Sequence, residues 1–213
     1  VKKLSDETYH NHAGMLSKRH PGLARVTNLV GIPKVKIPKW KSLNDAILYS
    51  VIGQMLSNSA SNSILMRLSR EFRNTEDIIL WAHQTKSTTG ALLGVSQKKR
   101  RTLSEWGNFR AHHEDVSMHW GKVHLDEFRR EVTKIWGLGR WSADMLGIFY
   151  FGRLDIWPET DTSIKTVSNA VFGSCQQSEI AVFIDGCETV AALYFWEITN
   201  RKLLAKLVHG QSD

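Results

Sequence analysis

Lys134-Ile135-Trp136-Gly137-Leu138-Gly139-Arg140-Trp141-Ser142-Ala143-Asp144-Met145-Leu146 is the stretch that sets the fold. Just before it, Leu125, Phe128, Val132 and Ile135 recur at i, i+3, i+7 and i+10, one face of a helix. The spacing predicts a helix over 124–135, a tight turn at Gly137-Leu138-Gly139, and a second helix over 140–151. Two glycines let the chain turn sharply and bare amide N–H groups at the new helix N-terminus, where a phosphate can sit. Gly-x-Gly also opens the dinucleotide-binding fingerprint, but that loop needs a strand before it and a third glycine after it. Here a helical stripe precedes the turn and Ser142 stands in the third place. A cofactor loop is therefore disfavoured, while a plain helix-turn-helix corner stays open on the turn alone.

Working outward, Trp157-Pro158-Glu159-Thr160-Asp161 brings a carboxylate 22 residues past Gly139. A phosphate anchor followed by an acid is what chemistry on a nucleotide's glycosidic bond requires. Asp161 also opens a helical segment, and Asp is a favoured N-cap, so a structural and a chemical role are both open to it. Asp155 and Glu159 are the neighbouring acids.

The rest of the chain reads as helices joined by short turns. Further helical patterns cover about 6–18, 22–30, 75–83, 96–111, 161–172, 177–185 and 189–207. Ser42 or Asn44 caps a helix carrying Ile47, Val51 and Met55 on one face, and Ala60, Ile64 and Leu68 continue the pattern in the next. Ala181-Val182-Phe183-Ile184 is strand-like but has no partner run, and Asp185-Gly186 follows it as a helix stop. The expected fold class is all-α.

The sequence has 213 residues, 42% of them hydrophobic and 23% charged, ordinary for a globular protein with room for a substantial core. No apolar run approaches the roughly 20 residues of a membrane span, and no signal-peptide pattern opens it. Cys175 and Cys187, the two cysteines, cannot form a four-thiolate iron–sulfur or zinc site and suggest a reducing compartment. A net charge of +7 favours a polyanionic partner. Lys34, Lys36, Lys39 and Lys41 crowd a Pro-punctuated loop, and Lys98, Lys99, Arg100 and Arg101 open a helix. Either run serves DNA or is a solvated face.

Hairpin and acid together resemble the helix-hairpin-helix signature and catalytic aspartate of the helix-hairpin-helix DNA glycosylase superfamily. The likeness extends over most of the chain. Residues 12–31 and 46–60 are similar to the family's N-terminal helices, with Ile52-Gly53-Gln54-Met55-Leu56-Ser57 on its Ile-x-Gln-Gln-Leu-Ser-like segment. Residues 94–106 match the helix that members begin with Gly-x-Ser-x-x-Lys, and Val190–Trp196 the closing helix. Within it the chain most resembles the bacterial 3-methyladenine DNA glycosylase II type, and the N-terminal mixed α/β domain of that type is expected to be missing, since residues 1–40 are too short for it. The resemblance implies a single glycosylase unit over 1–213. One lobe is built from 1–41 plus 161–213, the other from 42–160 with the hairpin at 134–146, and an active-site cleft lies between them.

What the resemblance implies for chemistry follows residue by residue. Asp161 would be the catalytic carboxylate, stabilising the positive charge that builds on the sugar and orienting water. Members that cut the backbone carry a Schiff-base lysine two positions after the second hairpin glycine. Trp141 stands there, and an indole cannot form that bond, so a monofunctional enzyme leaving an abasic site is expected. Trp141 and Trp196 match aromatic pocket positions suited to a flipped cationic base, although a tryptophan on a helix is as readily core. Met145 stands where the pocket has a tyrosine. Gln54 and Met55 match the segment that fills the gap left by the extruded nucleotide, Met55 as an apolar wedge or else as a buried member of its stripe. Gly137, Gly139 and Trp141 would present amides to one phosphate, with Arg140 beside them or merely solvated. Carbonyls of Thr133, Ile135 and Leu138 would hold sodium or potassium. No cofactor is expected for catalysis, and no iron–sulfur cluster.

Two further departures stand out: Gly186-Cys187-Glu188 replaces a Pro-aromatic-Arg of alkylation-repair members, and Asp161-Thr162-Ser163 leans towards the Asp-Thr-His of the endonuclease III branch. The expected activity is excision of alkylated purines from duplex DNA by a monomer, cytoplasmic in a bacterium or nuclear in a eukaryote, with no membrane partner. A uracil or mismatched-pyrimidine glycosylase of the same fold, and a noncatalytic DNA-binding helical module, are the competing readings.

Overall fold

The structure is a computed structural model describing residues 6–33, 37, 39–40, 42–84, 89–113 and 116–209. Lys34, Lys36 and Lys41 of the basic loop lie outside the described residues. Among the described residues the secondary structure is helical throughout, so the chain is all-α. The order is α1 (Asp6–Arg19), α2 (Pro21–Val30), α3 (Leu43–Gly53), α4 (Asn58–Glu71), α5 (Thr75–His83), α6 (Thr89–Leu93) and α7 (Gln97–Ala111). Then come α8 (Val116–Trp120), α9 (Leu125–Thr133), α10 (Arg140–Phe149), α11 (Thr162–Phe172), α12 (Gln177–Ile184), α13 (Glu188–Asn200) and α14 (Leu204–His209). No described helix is long and apolar enough to cross a membrane.

Two compact units divide the chain, residues 39–151 and residues 2–38 with 152–213. The second crossover falls nine residues before the expected 160/161, so 152–160 belong to the terminal unit. The physical reason is Thr189 in α13. Its buried hydroxyl donates to the carbonyls of Arg153 and Ile156 at 3.0 and 3.2 Å and accepts from Ile156 N–H at 3.2 Å, stitching that segment down.

In the central unit α3 is the axis. Leu43, Ala46, Ile47, Leu48, Ser50, Val51 and Ile52 are buried, apolar nearly all round, as an interior helix must be. Ser42, not Asn44, is its cap, accepting from Asp45 N–H at 3.1 Å, while Asn44 accepts the Trp106 indole N–H at 2.9 Å. Side-chain caps start the neighbours in the same way: Ser57 on α4, Asn74 on α5 and Ser96 on α7. Trp106, Trp120 and Phe128 fill the base of this core.

In the terminal unit, α13 is buried from Thr189 to Phe195 and packs aromatic rings of Trp157 and Phe172 against Phe195. The strand-like 181–184 run lies in helix α12, followed by Gly186 at φ 68°. The continuous helix expected over 189–207 is instead two, α13 and α14, broken at Arg201-Lys202-Leu203, where Lys202 takes φ 56° and the Leu203 N–H turns back to Ile198 O at 2.8 Å.

Candidate functional site

The hairpin is held from inside. Phe128 and Val132 put the face of α9 into the core, Ile135 just beyond it is buried too, Leu138 plugs the turn, and Leu138 N–H donates to Ile135 O at 3.0 Å. At Gly137 the backbone has φ 86°, and a Cβ would lie 1.9 Å from the Thr102 hydroxyl oxygen of α7. Glycine is the residue that fits. Gly139 is different: it has φ −99°, ψ −176°, and nothing lies within 4 Å of the place a Cβ would take. As the N-cap of α10 it also supplies no side-chain cap, unlike Ser42, Ser57, Asn74 and Ser96, so the start of a ten-residue helix faces outward bare of one. Arg140 and Gly139 are exposed there, as are Thr133 and Lys134.

The two helices of the hairpin are bolted together by charge. The guanidinium Nε of Arg129 in α9 donates to Asp144 Oδ1 of α10 at 2.8 Å, with Asp144 fully buried and Arg129 nearly so. A buried carboxylate on the apolar face of α10 must be paired. That necessity is the signal in the sequence, although the partner 15 residues away is not readable from it.

Gln54 is not an external contact through its amide nitrogen. Its Nε2 donates to Gly137 O at 2.9 Å and to Ser142 Oγ at 3.0 Å, splinting the end of α3 to the turn and to α10. Met55, next to it, is fully exposed and holds φ 58°, so the buried alternative for Met55 falls. Trp141 is half-buried, its ring within 3.8 Å of the Cβ position of Gly53. Met145 is buried in α10. Of the three carbonyls expected to hold a cation, that of Ile135 already accepts the turn's own N–H, and a carbonyl oxygen has a second lone pair.

The basic block at the start of α7 is not merely a solvated run. Lys99 Nζ donates to Ile52 O at 2.6 Å, a cation at the C-terminus of α3, and burial pushes its pKa down. Arg100 sits over the Trp81 ring at 5.4 Å. Arg101 lies over the Trp136 ring at 4.0 Å, a pair that sequence reasoning missed. Lys98 is exposed.

In the terminal unit, two short turns set the acid. Glu159 N–H donates to Trp157 O at 3.0 Å and Asp161 N–H to Pro158 O at 2.9 Å. Asp161 then caps α11, its Oδ1 accepting from Ile164 N–H at 3.1 Å, and the same oxygen accepts the Trp196 indole N–H at 3.2 Å. The helix-cap role is thus real. Trp196 is half-buried on α13, and its N–H fixes the carboxylate's direction. Asp155 is taken by Arg153, with two contacts of 3.0 Å. Gly186-Cys187-Glu188 closes on itself: Gly186 N–H donates to Glu188 Oε1 at 3.1 Å, and Cys187 is buried with its thiol pKa raised by that burial. Arg19 of α1 donates to Asp185 O beside it.

No family model matches the chain. In sequence it is similar to the alkylbase DNA glycosidase-like protein mag2 of Schizosaccharomyces pombe, 28% identical over 167 residues that cover 72% of this chain and 76% of the relative. In structure it is similar to the 3-methyladenine DNA glycosylase of the same yeast in complex with abasic DNA, with a TM-score of 0.77, 21% identity, and coverage of 89% of this chain and 97% of that one. The fold is that of the 3-methyladenine DNA glycosylases. The DNA-3-methyladenine glycosidase of Bacillus halodurans shares it at a TM-score of 0.72, with 18% identity over 98% of this chain and all of that one. So does the 3-methyladenine DNA glycosylase of Archaeoglobus fulgidus, at 0.67 and 19% identity over 88% of this chain and 68% of the other.

Proposed function

We propose that this chain is a base-excision DNA glycosylase that flips alkylated purines out of duplex DNA and hydrolyses their N-glycosidic bond. The observation that carries the reading is Asp161, oriented by the Trp196 indole N–H, in a chain of this fold similar to alkylbase and 3-methyladenine glycosylases. The C1′–N bond breaks with its electron pair leaving on the base, positive charge builds on the sugar, and the Asp161 carboxylate stabilises it. Water adds to C1′ and gives up a proton. A purine already cationic from alkylation departs neutral, so no separate acid need protonate it.

Around that chemistry the remaining residues bind and position. Gly137, Gly139 and Trp141 offer amides to a backbone phosphate at the outward-facing start of α10. Thr133, Ile135 and Leu138 carbonyls would hold a sodium or potassium ion there. Met55, exposed and apolar, is the wedge that fills the vacated stack. Trp141 and Met145 in the central unit, and Trp196 in the terminal unit, are each assigned to the flipped base, and Trp141 in the lyase-lysine position leaves the backbone uncut.

The test is turnover of matched duplexes carrying 3-methyladenine, 7-methylguanine, uracil or a mismatched thymine, read by alkaline cleavage at abasic sites. Methylated purines should be released fastest, with no strand cleavage before alkali and no borohydride-trapped adduct. Faster release of uracil or thymine contradicts the pocket assignment. No release of any base, with duplex binding intact, leaves a DNA-binding module.

A further inference from the structure

The Arg101–Trp136 pair has no part in the chemistry above, yet it adjoins the hairpin. Trp136 immediately precedes Gly137, and Thr102, the residue after Arg101, fills the space a Gly137 side chain would need. Arg101 of α7 and the turn are therefore neighbours by construction. The Arg101 guanidinium lies over the Trp136 ring, 4.0 Å from its centroid, on an indole that is itself exposed. Stacking restrains a long, flexible side chain while leaving the N–H edges of the guanidinium pointing outward. Those edges suit bidentate bonding to phosphate. Exposed Lys98, Lys134 and Arg140 make the surroundings positive, and the acid on Arg101 is Glu105, one helical turn on, at 3.6 Å. A pair that open to water and that long contributes little to folding. Arg101 is 60% exposed, so the arrangement has small structural return of its own.

We propose that Arg101, braced on Trp136, holds the strand phosphate next to the one the hairpin amides take, so that the central unit grips two consecutive phosphates of one DNA strand. Glu105 tempers that grip by competing for the guanidinium. The inference rests on the glycosylase reading for its ligand, a duplex with a disrupted site, and adds a contact that reading does not contain.

The probe is a duplex with a central tetrahydrofuran abasic analogue, in which single phosphates are replaced in turn by neutral methylphosphonates. Binding is followed by fluorescence anisotropy over a range of salt. The wild type should lose affinity at two adjacent positions. Arg101→Gln should bind about tenfold more weakly, lose its sensitivity at one of the two, and show a log–log salt slope smaller by about one. Trp136→Leu should give part of the same loss, and Glu105→Gln should tighten binding about twofold by freeing the guanidinium. All three should unfold at the wild-type urea midpoint, which separates a phosphate contact from a folding role. If Arg101→Gln keeps both sensitive positions, or the wild type has only one, the inference is wrong while the glycosylase reading stands. A wild type that neither binds this duplex nor releases methylated purines defeats both.

Discussion

Two turns of the central unit make opposite use of unusual backbone. In the hairpin, the positive φ of Gly137 has an internal cause, since Thr102 occupies the space any side chain would need. Leu138 is buried, the Gly137 carbonyl is taken by Gln54, and Arg129 and Asp144 lock the helices on either side. In the turn after α3, Met55 also holds a positive φ, but with a β-carbon, an exposed apolar side chain and no burial to offset the strain. A non-glycine residue in that region costs on the order of 1 kcal/mol or more. The first turn is shaped by its own fold. The Met55 turn and exposed Gly139 show no such packing around them, and the proposed duplex contact would give both a use.

That contrast is easiest to break at the bolt. Asp144→Ala removes the buried partner of Arg129 and should cost about 3–5 kcal/mol in urea unfolding, the penalty for a stranded buried charge. A loss under about 1 kcal/mol would show the pair to be dispensable. Next comes the glycine pair. Gly137→Ala should cost about 2–4 kcal/mol through overpacking against Thr102 and a disfavoured φ. Gly139→Ala should stay within about 0.5 kcal/mol of wild type and instead weaken duplex binding. Equal destabilisation by the two would erase the distinction between internal and external glycines.

Smaller still is Met55→Ala. With its side chain in water, the change should move stability by no more than about 0.5 kcal/mol, yet weaken binding to an abasic-analogue duplex about fivefold. A destabilisation of about 2 kcal/mol would mean that Met55 is packed after all.

The least change is expected with pH, in the terminal unit. His20 caps α2 by accepting Gly22 N–H on Nδ1 at 3.1 Å, between the rings of Phe172 and Phe183. Burial, with a lesser push from Arg25, lowers its pKa. A His whose folded pKa is depressed contributes stability above its ordinary value near 6.5 that is lost as pH falls towards the lower folded value. His20→Asn keeps a capping acceptor without titrating, so its urea midpoint should fall less between pH 7.5 and 5 than the wild type's. Identical pH profiles would rule out this linkage.

Much of the fold was legible because periodicity and caps are local. The Leu125–Ile135 stripe, the Ser42 cap and the Asp185-Gly186 stop each depend on a few neighbouring residues. The break at Lys202 was not, since the apolar positions around Leu203, Leu204 and Leu207 continue a helical rhythm across it. The five-residue α8 is too short to show a period at all. At the site, Asp161 was readable as cap and as acid from its place in the chain, but its indole partner lies 35 residues on. The contacts of Gln54 were not readable for the same reason: the hairpin it splints is 83 residues away, and only the folded chain brings them together. The separate contacts of the basic block at 98–101 were not readable, because a charge run looks alike whether it faces water, caps α3 through Lys99 or stacks on Trp136 through Arg101.

The central claim, that Asp161 is a catalytic carboxylate and not merely the cap of α11, is met most directly by single-turnover release of methylated purine by Asp161→Asn. An asparagine still accepts Ile164 N–H and the Trp196 indole N–H but brings no charge to the sugar. The account predicts a fall of at least about 100-fold in the rate of base release, with duplex affinity and urea midpoint near wild type. Release at the wild-type rate would contradict it.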